Sequence, residues 1–147
     1  MDVQLIPGKV ALVTGSTRGL GMAIARQLAV AGADVALHDV DPSQASRFGE
    51  YSGPEEGVAS IESLGRRCDV FFGDLTDRAA ADAVAQGVLA RFGRVDVLVN
   101  CAGGDIGVSG NKPVPNDCVD IPDEDLRVIL DRNLLSTMNM SRALAHH

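Results

Sequence analysis

The stretch "TGSTRGLG", Thr14 to Gly21, decides how the rest of the sequence is read. A Val-rich run, "KVALVTG" (Lys9 to Gly15), leads into it. Leu20, Ile24, Leu28 and Ala31 then recur at helical spacing. The pattern predicts a short strand, a tight turn and an amphipathic helix, in that order. Backbone N–H groups at a helix N-terminus are free donors at the positive end of a dipole, so they bind phosphate. Glycines at 15, 19 and 21 let the backbone come close to such a ligand and to the strand. Taken alone, the same residues also fit a plain tight turn with no ligand.

Outward from that turn, strand and helix patterns alternate. Gly32 ends the first helix as a C′ residue. "DVALHD" (Asp34 to Asp39) is a second strand. A polar stretch with Pro42, Gly49, Gly53 and Pro54 leads to a short helix expected from about Glu55 to Leu64. "CDVFFGD" (Cys68 to Asp74) is a third strand. The next helix is expected from about Asp77 to Phe92, with Val84, Val88 and Phe92 on one face and Gly93 closing it. "VDVLVNCAGG" (Val95 to Gly104) supplies a fourth strand and its exit turn. A loop rich in Gly, Pro, Asn and Asp (Gly104 to Pro122) reaches a last helix near Pro122. Asp123, Glu124 and Asp125 stand in its first turn, where the dipole favours acids. Leu126, Ile129, Leu130, Leu134 and Met138 form its apolar stripe, and Asn133 interrupts them. Strands this continuously apolar belong to a parallel sheet covered on both faces. The predicted fold is therefore α/β: a Rossmann-like, doubly wound parallel sheet with strand order 3-2-1-4 and flanking helices.

Bulk properties narrow the partners. The 147 residues carry a net charge of −7 and are 46% hydrophobic, enough for one domain with a real core. Negative charge disfavours nucleic acid and anionic membranes, whose phosphates it repels. No apolar run reaches the roughly 18 residues a membrane span needs. The opening "MDVQLIPGKV" has neither the basic nor the apolar region of a signal peptide. Cys68, Cys101 and Cys118 are widely spaced with no CxxC pair, which predicts a reduced, cytoplasmic setting and no zinc site. The acids and amides of Gly104 to Pro122 fit no standard calcium loop, so no metal is expected.

The glycine spacing adds a resemblance. Gly15, Gly19 and Gly21 follow Thr-Gly-x-x-x-Gly-x-Gly rather than GxGxxG, and this form resembles the classical short-chain dehydrogenase/reductase family. "NCAG" (Asn100 to Gly103) is similar to that family's Asn-Asn-Ala-Gly motif, with Cys101 in place of the second Asn. "GDLTD" sets Asp74 where the family's Asp meets adenine, and "LDRNLLS" sets Asn133 where its active-site Asn stands. The resemblance implies that the backbone from Ser16 through Thr17, Arg18, Gly19 and Leu20 to Gly21 cradles a pyrophosphate, with Thr14 ordering the turn and Gly15 opening it. It implies that Asp74 and the Leu75 N–H hold adenine, although Asp74 also fits a helix cap. Asn100, Ala102 and Gly103 would line the ribose and the path to nicotinamide. Asn133 would hold a water linked to a catalytic Lys, or else is a structural amide bonded to backbone.

Asp39 ends the second strand, where a carboxylate accepts the ribose hydroxyls of NAD. It also repels the 2′-phosphate of NADP, by about 4 kcal/mol at ~4 Å and an effective dielectric of ~20, before screening. Arg18 is the counterweight, since a basic residue there in the family can pair with that phosphate. NAD is the expected cofactor and NADP the second choice. His38 has no evident ligand or base role and is read as a strand-end side chain.

The family's chemistry further requires a Tyr, a Lys four residues later and a Ser about a dozen residues before the Tyr. The single tyrosine is Tyr51, with Glu55 four residues on, and the lysines are Lys9 and Lys112. Residues 1–147 are therefore expected to be one dinucleotide-binding domain that stops before the Tyr-Lys segment, of an oxidoreductase acting on a small alcohol or ketone. A non-catalytic dinucleotide-binding module or regulatory pseudoenzyme is the alternative. The last helix is expected to pack against a partner subunit in a dimer or tetramer, with Met140 and Leu144 on the packing edge and Val128, Leu135 and Met138 on a second apolar face.

Overall fold

The computed structural model describes residues 5–147, so the sequence reading of Met1 to Gln4 lies outside the described residues. Four parallel strands form one sheet in the order β3-β2-β1-β4: β1 Val10–Val13, β2 Asp34–Asp39, β3 Cys68–Phe72 and β4 Val97–Val99. The helices between them are α1 Gly19–Val30, α2 Pro54–Glu62 and α3 Arg78–Phe92, with a 3-10 turn at Pro42–Ser46 after β2. The expected strand order and the bounds of β2 are met. β4 is shorter than its sequence suggests, because residues from Asn100 onward turn out of the sheet.

Turn chemistry follows composition. Gly93 ends α3 at φ +83° and Gly32 follows α1 at φ +109°, both left-handed conformations that favour glycine. Asp77 caps α3 by accepting from the Ala79 N–H at 2.9 Å. β1 is buried throughout, with Val10, Leu12, Ala36, Val84, Val88 and Met140 in one apolar cluster and Val13, Val35, Leu37, Met22 and Ile61 in a second on the other face of the sheet.

Two helix faces differ from their sequence pattern. In α1 the buried residues are Gly21, Met22, Ala25 and Ala29, and Leu20 is 72% exposed. Small residues let the helix lie close to the strands, which matters more here than the stripe of larger side chains. Ile24 and Leu28 pack only partly against the core.

The last helix differs more. It begins as α4 (Asp123–Leu130), passes through a π-helical turn at Asp131–Leu135, and continues as α5 (Ser136–Leu144). In the π turn the Ser136 N–H reaches back to the Asp131 carbonyl, five residues rather than four. That extra residue shifts the phase of everything after it. Leu126 and Leu130 are exposed on α4, which buries no residue, and Leu134 and Met138 are exposed within and after the turn, while α5 buries Ser136, Asn139 and Met140. Met140 is 0% exposed and packs in the cluster of α3, with Leu144 against it. These two residues thus face the chain's own core, which corrects the expectation that they meet a partner subunit. No helix among the described residues is long and apolar enough to cross a membrane.

Candidate functional site

Every strand of a parallel sheet delivers its exit loop to the same edge, and ligands of such folds bind outside that edge. Here the loops after β1, β2, β3 and β4 line a cleft of about 510 Å³. Gly15, Arg18, Gly19, Leu20 and Gly21 come from the glycine turn, and Asp39 from the end of β2. Asp74 and Leu75 follow β3, and Ala102 and Gly103 follow β4. Arg132 and Ser136 close it from the last helix, and Ile106 is the contribution of the long loop.

The turn is built by glycines for three separate reasons. A Cβ on Gly15, which has φ +60°, would lie 2.7 Å from the Ala102 Cα. A Cβ on Gly21 would run into the Gly15 carbonyl oxygen and come within 2.8 Å of the Ser16 Cα. Gly19 needs its φ of +55° but has open space around it, and that space faces the cleft. The Gly19 N–H donates to the Glu50 Oε2 at 2.7 Å, so a carboxylate already sits on a turn amide. Arg18 lies along the cleft wall, its guanidinium 4.6 Å from the ring centre of Phe48, which lines the cleft as well.

Ser16 and Thr17 are fully buried and point inward. Ser16 Oγ donates to the Val13 carbonyl at 2.7 Å, and the Ser16 N–H donates to the His38 carbonyl at 2.8 Å, which takes that amide out of the set available to a phosphate. Thr17 Oγ1 donates to Asp39 Oδ2 at 2.6 Å, while Asp39 Oδ1 accepts from the Val40 N–H at 3.0 Å. Both carboxylate oxygens are thereby oriented, with lone pairs left over for further donors. Thr14 Oγ1 accepts from the N–H groups of Cys101 and Ala102, each at 3.0 Å, and so joins the β1 and β4 exits. Asp74 is exposed; its Oδ1 accepts from the Thr76 N–H and hydroxyl at 2.9 and 2.8 Å. Since Asp77 caps α3, Asp74 is not needed as its cap.

Three amides behave differently from one another. Asn133 is exposed, and its partners are backbone: Oδ1 accepts from the Gly104 N–H at 3.0 Å, and Nδ2 donates to the carbonyls of Gly104 at 3.0 Å and Ile129 at 2.8 Å. A Cβ at Gly103 would collide with that amide, which explains the glycine there. Asn100 does not line the cleft; its Nδ2 donates to Ser141 Oγ at 3.2 Å, toward α5. Asn139, unnoticed in the sequence, is buried and donates to the Leu75 and Thr76 carbonyls at 3.0 and 3.3 Å, docking α5 on the loop that carries Asp74. Its signal was an amide between Met138 and Met140. His38 is also more than a strand-end side chain. It is 1% exposed, and burial holds its pKa below the ordinary imidazole range, against the pull of the Gly73 carbonyl, Asp39 and Asp74.

Comparison with known proteins is consistent with this geometry. The sequence profile described as short chain dehydrogenase matches residues 9–147. Cyclohexanol dehydrogenase of Rhodococcus sp. (strain TK6) is 35% identical over 144 residues, covering 94% of this chain and 51% of the relative. Among solved structures, a short chain dehydrogenase from Burkholderia cenocepacia J2315 in complex with NADP is 35% identical with a TM-score of 0.78, covering 98% of this chain and 52% of that one. The NADH-dependent reductase A1-R′ complexed with NAD has a TM-score of 0.80 at 29% identity, covering 100% and 54%. The chain thus spans about half the length of these relatives.

Proposed function

The chain belongs to the short chain dehydrogenase family, and we propose that its cleft is the dinucleotide half of an oxidoreductase site, taking NAD in preference to NADP. The observation that carries this reading is the Glu50 carboxylate on the Gly19 N–H. It is an anionic oxygen held where the helix dipole and an open glycine would hold a phosphate oxygen. The donor set therefore fits a pyrophosphate. When bound, the dinucleotide would supply hydride exchange with an alcohol or carbonyl carbon.

The chain's own residues would then bind and orient. Gly15, Gly19 and Gly21 keep the turn close to the ligand. Asp39, pre-set by Thr17 and Val40, accepts from ribose hydroxyls. Asp74 and the Leu75 N–H take the adenine, while Ala102 and Gly103 line the path toward nicotinamide. Asn133 tethers that path to the π turn through backbone partners, the behaviour of a structural amide; a water-holding role in proton relay is what the family resemblance would add. Proton transfer itself is assigned to a Ser, a Tyr and a Lys in the other half of the protein; Tyr51 packs against the second core cluster instead. The complete protein is proposed to be a cytoplasmic homo-oligomer that uses the exposed face of its last helix.

Titration of the complete protein with NADH and NADPH tests the cofactor assignment. NADH is expected to bind more tightly by on the order of tenfold, since partial exposure screens the Asp39 repulsion. Asp39→Ala should narrow the gap. Tighter NADPH binding by the unaltered protein would mean that Arg18 governs the site. Absence of binding to either would defeat the dinucleotide reading.

A further inference from the structure

His38 occupies the penultimate position of β2, between the strands whose exit loops bear Gly15 and Asp74. Its backbone is tied to the glycine turn in both directions: the Ser16 N–H donates to its carbonyl at 2.8 Å, and its own N–H donates to Ser16 Oγ at 3.0 Å. Its ring spans the two neighbouring loops. The Gly15 N–H points at Nδ1 over 3.4 Å, and Nε2 lies 3.0 Å from the Gly73 carbonyl oxygen. A carbonyl only accepts and a backbone amide only donates. Nε2 must therefore carry the proton and Nδ1 the lone pair, so the two ends specify one neutral tautomer.

Gly15 opens the glycine turn, and Gly73 immediately precedes Asp74. We propose that His38 is a positioning residue for the dinucleotide cradle, a neutral strut that holds the glycine turn and the Asp74 loop at the separation one bound dinucleotide must span. The inference rests on the dinucleotide reading of the cleft. A second proton on the ring would set an N–H against the Gly15 N–H. Either the ring would leave its place or the turn would shift, and the amides meant for phosphate would shift with it. The charged groups around the ring are few. Asp39 on β2 and Asp74 after β3 favour the protonated ring, and burial outweighs them. β1 carries no charged residue, and Arg18, the one charge of the turn, is stacked on Phe48.

The test is NADH binding by the complete protein, followed by fluorescence from pH 8 to pH 5, for the unaltered protein, His38→Gln and His38→Leu. A Gln amide nitrogen can reach the Gly73 carbonyl as Nε2 does, and it does not titrate. The unaltered protein should lose affinity on the order of tenfold as pH falls below the ordinary imidazole range. His38→Gln should bind within a few-fold of it near pH 8 and lose that pH dependence. His38→Leu, which abandons both partners, should bind roughly tenfold more weakly at every pH. An unchanged pH profile in His38→Gln would overturn the proposal, as would full affinity in folded His38→Leu. If His38→Leu does not fold, the His38→Gln profile decides alone. No NADH binding by the unaltered protein at any pH would bring down the dinucleotide reading and this inference together, an outcome distinct from the others.

Discussion

The unit from β1 through α1 to β2 and the helix from Asp123 to Leu144 are held in opposite ways. In the first, β1 is entirely buried, and the turn that follows is locked by Ser16, Thr17 and His38. In the second, no residue from Asp123 to Leu135 is buried, and the polar ties to the body of the chain include Asp125, which accepts from the Val108 N–H at 2.8 Å, Asn133 and Asn139, with the α5 face packed on the core. The difference shows where precision is placed. Backbone proposed to meet phosphate has to be fixed to fractions of an ångström, and this turn is over-determined by buried partners. The helix carrying Asn133 is fastened at Val108, Gly104 and Leu75, with exposed apolar side chains between.

At Met140 the loosely held helix does enter the core. Met140→Ala should cost about 2–5 kcal/mol in denaturant unfolding, as buried large-to-small changes do. A cost near zero would mean α5 is not docked on α3. On the other side, Gly21→Ala forces a methyl against the Gly15 carbonyl and the Ser16 Cα, neither of which can swing away. We expect a loss of about 3 kcal/mol, the upper end for overpacking, together with loss of detectable NADH binding. Wild-type affinity in that variant would show that the turn has slack. Asn139→Ala leaves the Leu75 and Thr76 carbonyls without their donor and should cost about 1–3 kcal/mol. A melting temperature equal to wild type would argue that water replaces the amide. The smallest effect belongs to Leu134, which is 55% exposed. Leu134→Gln should change the stability of this chain by within about 0.5 kcal/mol. A larger loss, measured in the same unfolding assay, would mean the stripe is covered after all.

Much of the site was legible because its requirements are local. A strand, a turn with glycines at 15, 19 and 21 and a helix start are written in adjacent residues. Asp39 and Asp74 fall at strand exits that the apolar runs mark. The harder residues depend on what lies opposite. Asn139 resembles any helical amide until α5 meets Leu75 and Thr76, and Glu50 is an ordinary loop acid until its segment folds onto Gly19. Asn100 had the right motif, yet its side chain answers to Ser141 on α5 rather than to the cleft.

The parallel sheet and its strand order, the glycine turn, the ends of α1 and α3, and the family are all readable from the order of residues. The strands, the turn and the helix ends follow from short-range periodicity or from a backbone angle that few residues adopt, the strand order from the handedness of βαβ crossovers, and the family from motifs that resemble it. Which face of the last helix is buried emerges only from packing. One extra residue in a π turn rotates a helix by about 100°, and nothing in a 3.6-residue pattern announces where that residue goes. Tertiary packing also made His38 a bridge, because Gly15 and Gly73 lie far apart along the chain and become neighbours only through β2. Hydrogen-bond partners that distant depend on how strands pair, and pairing is a property of the whole sheet.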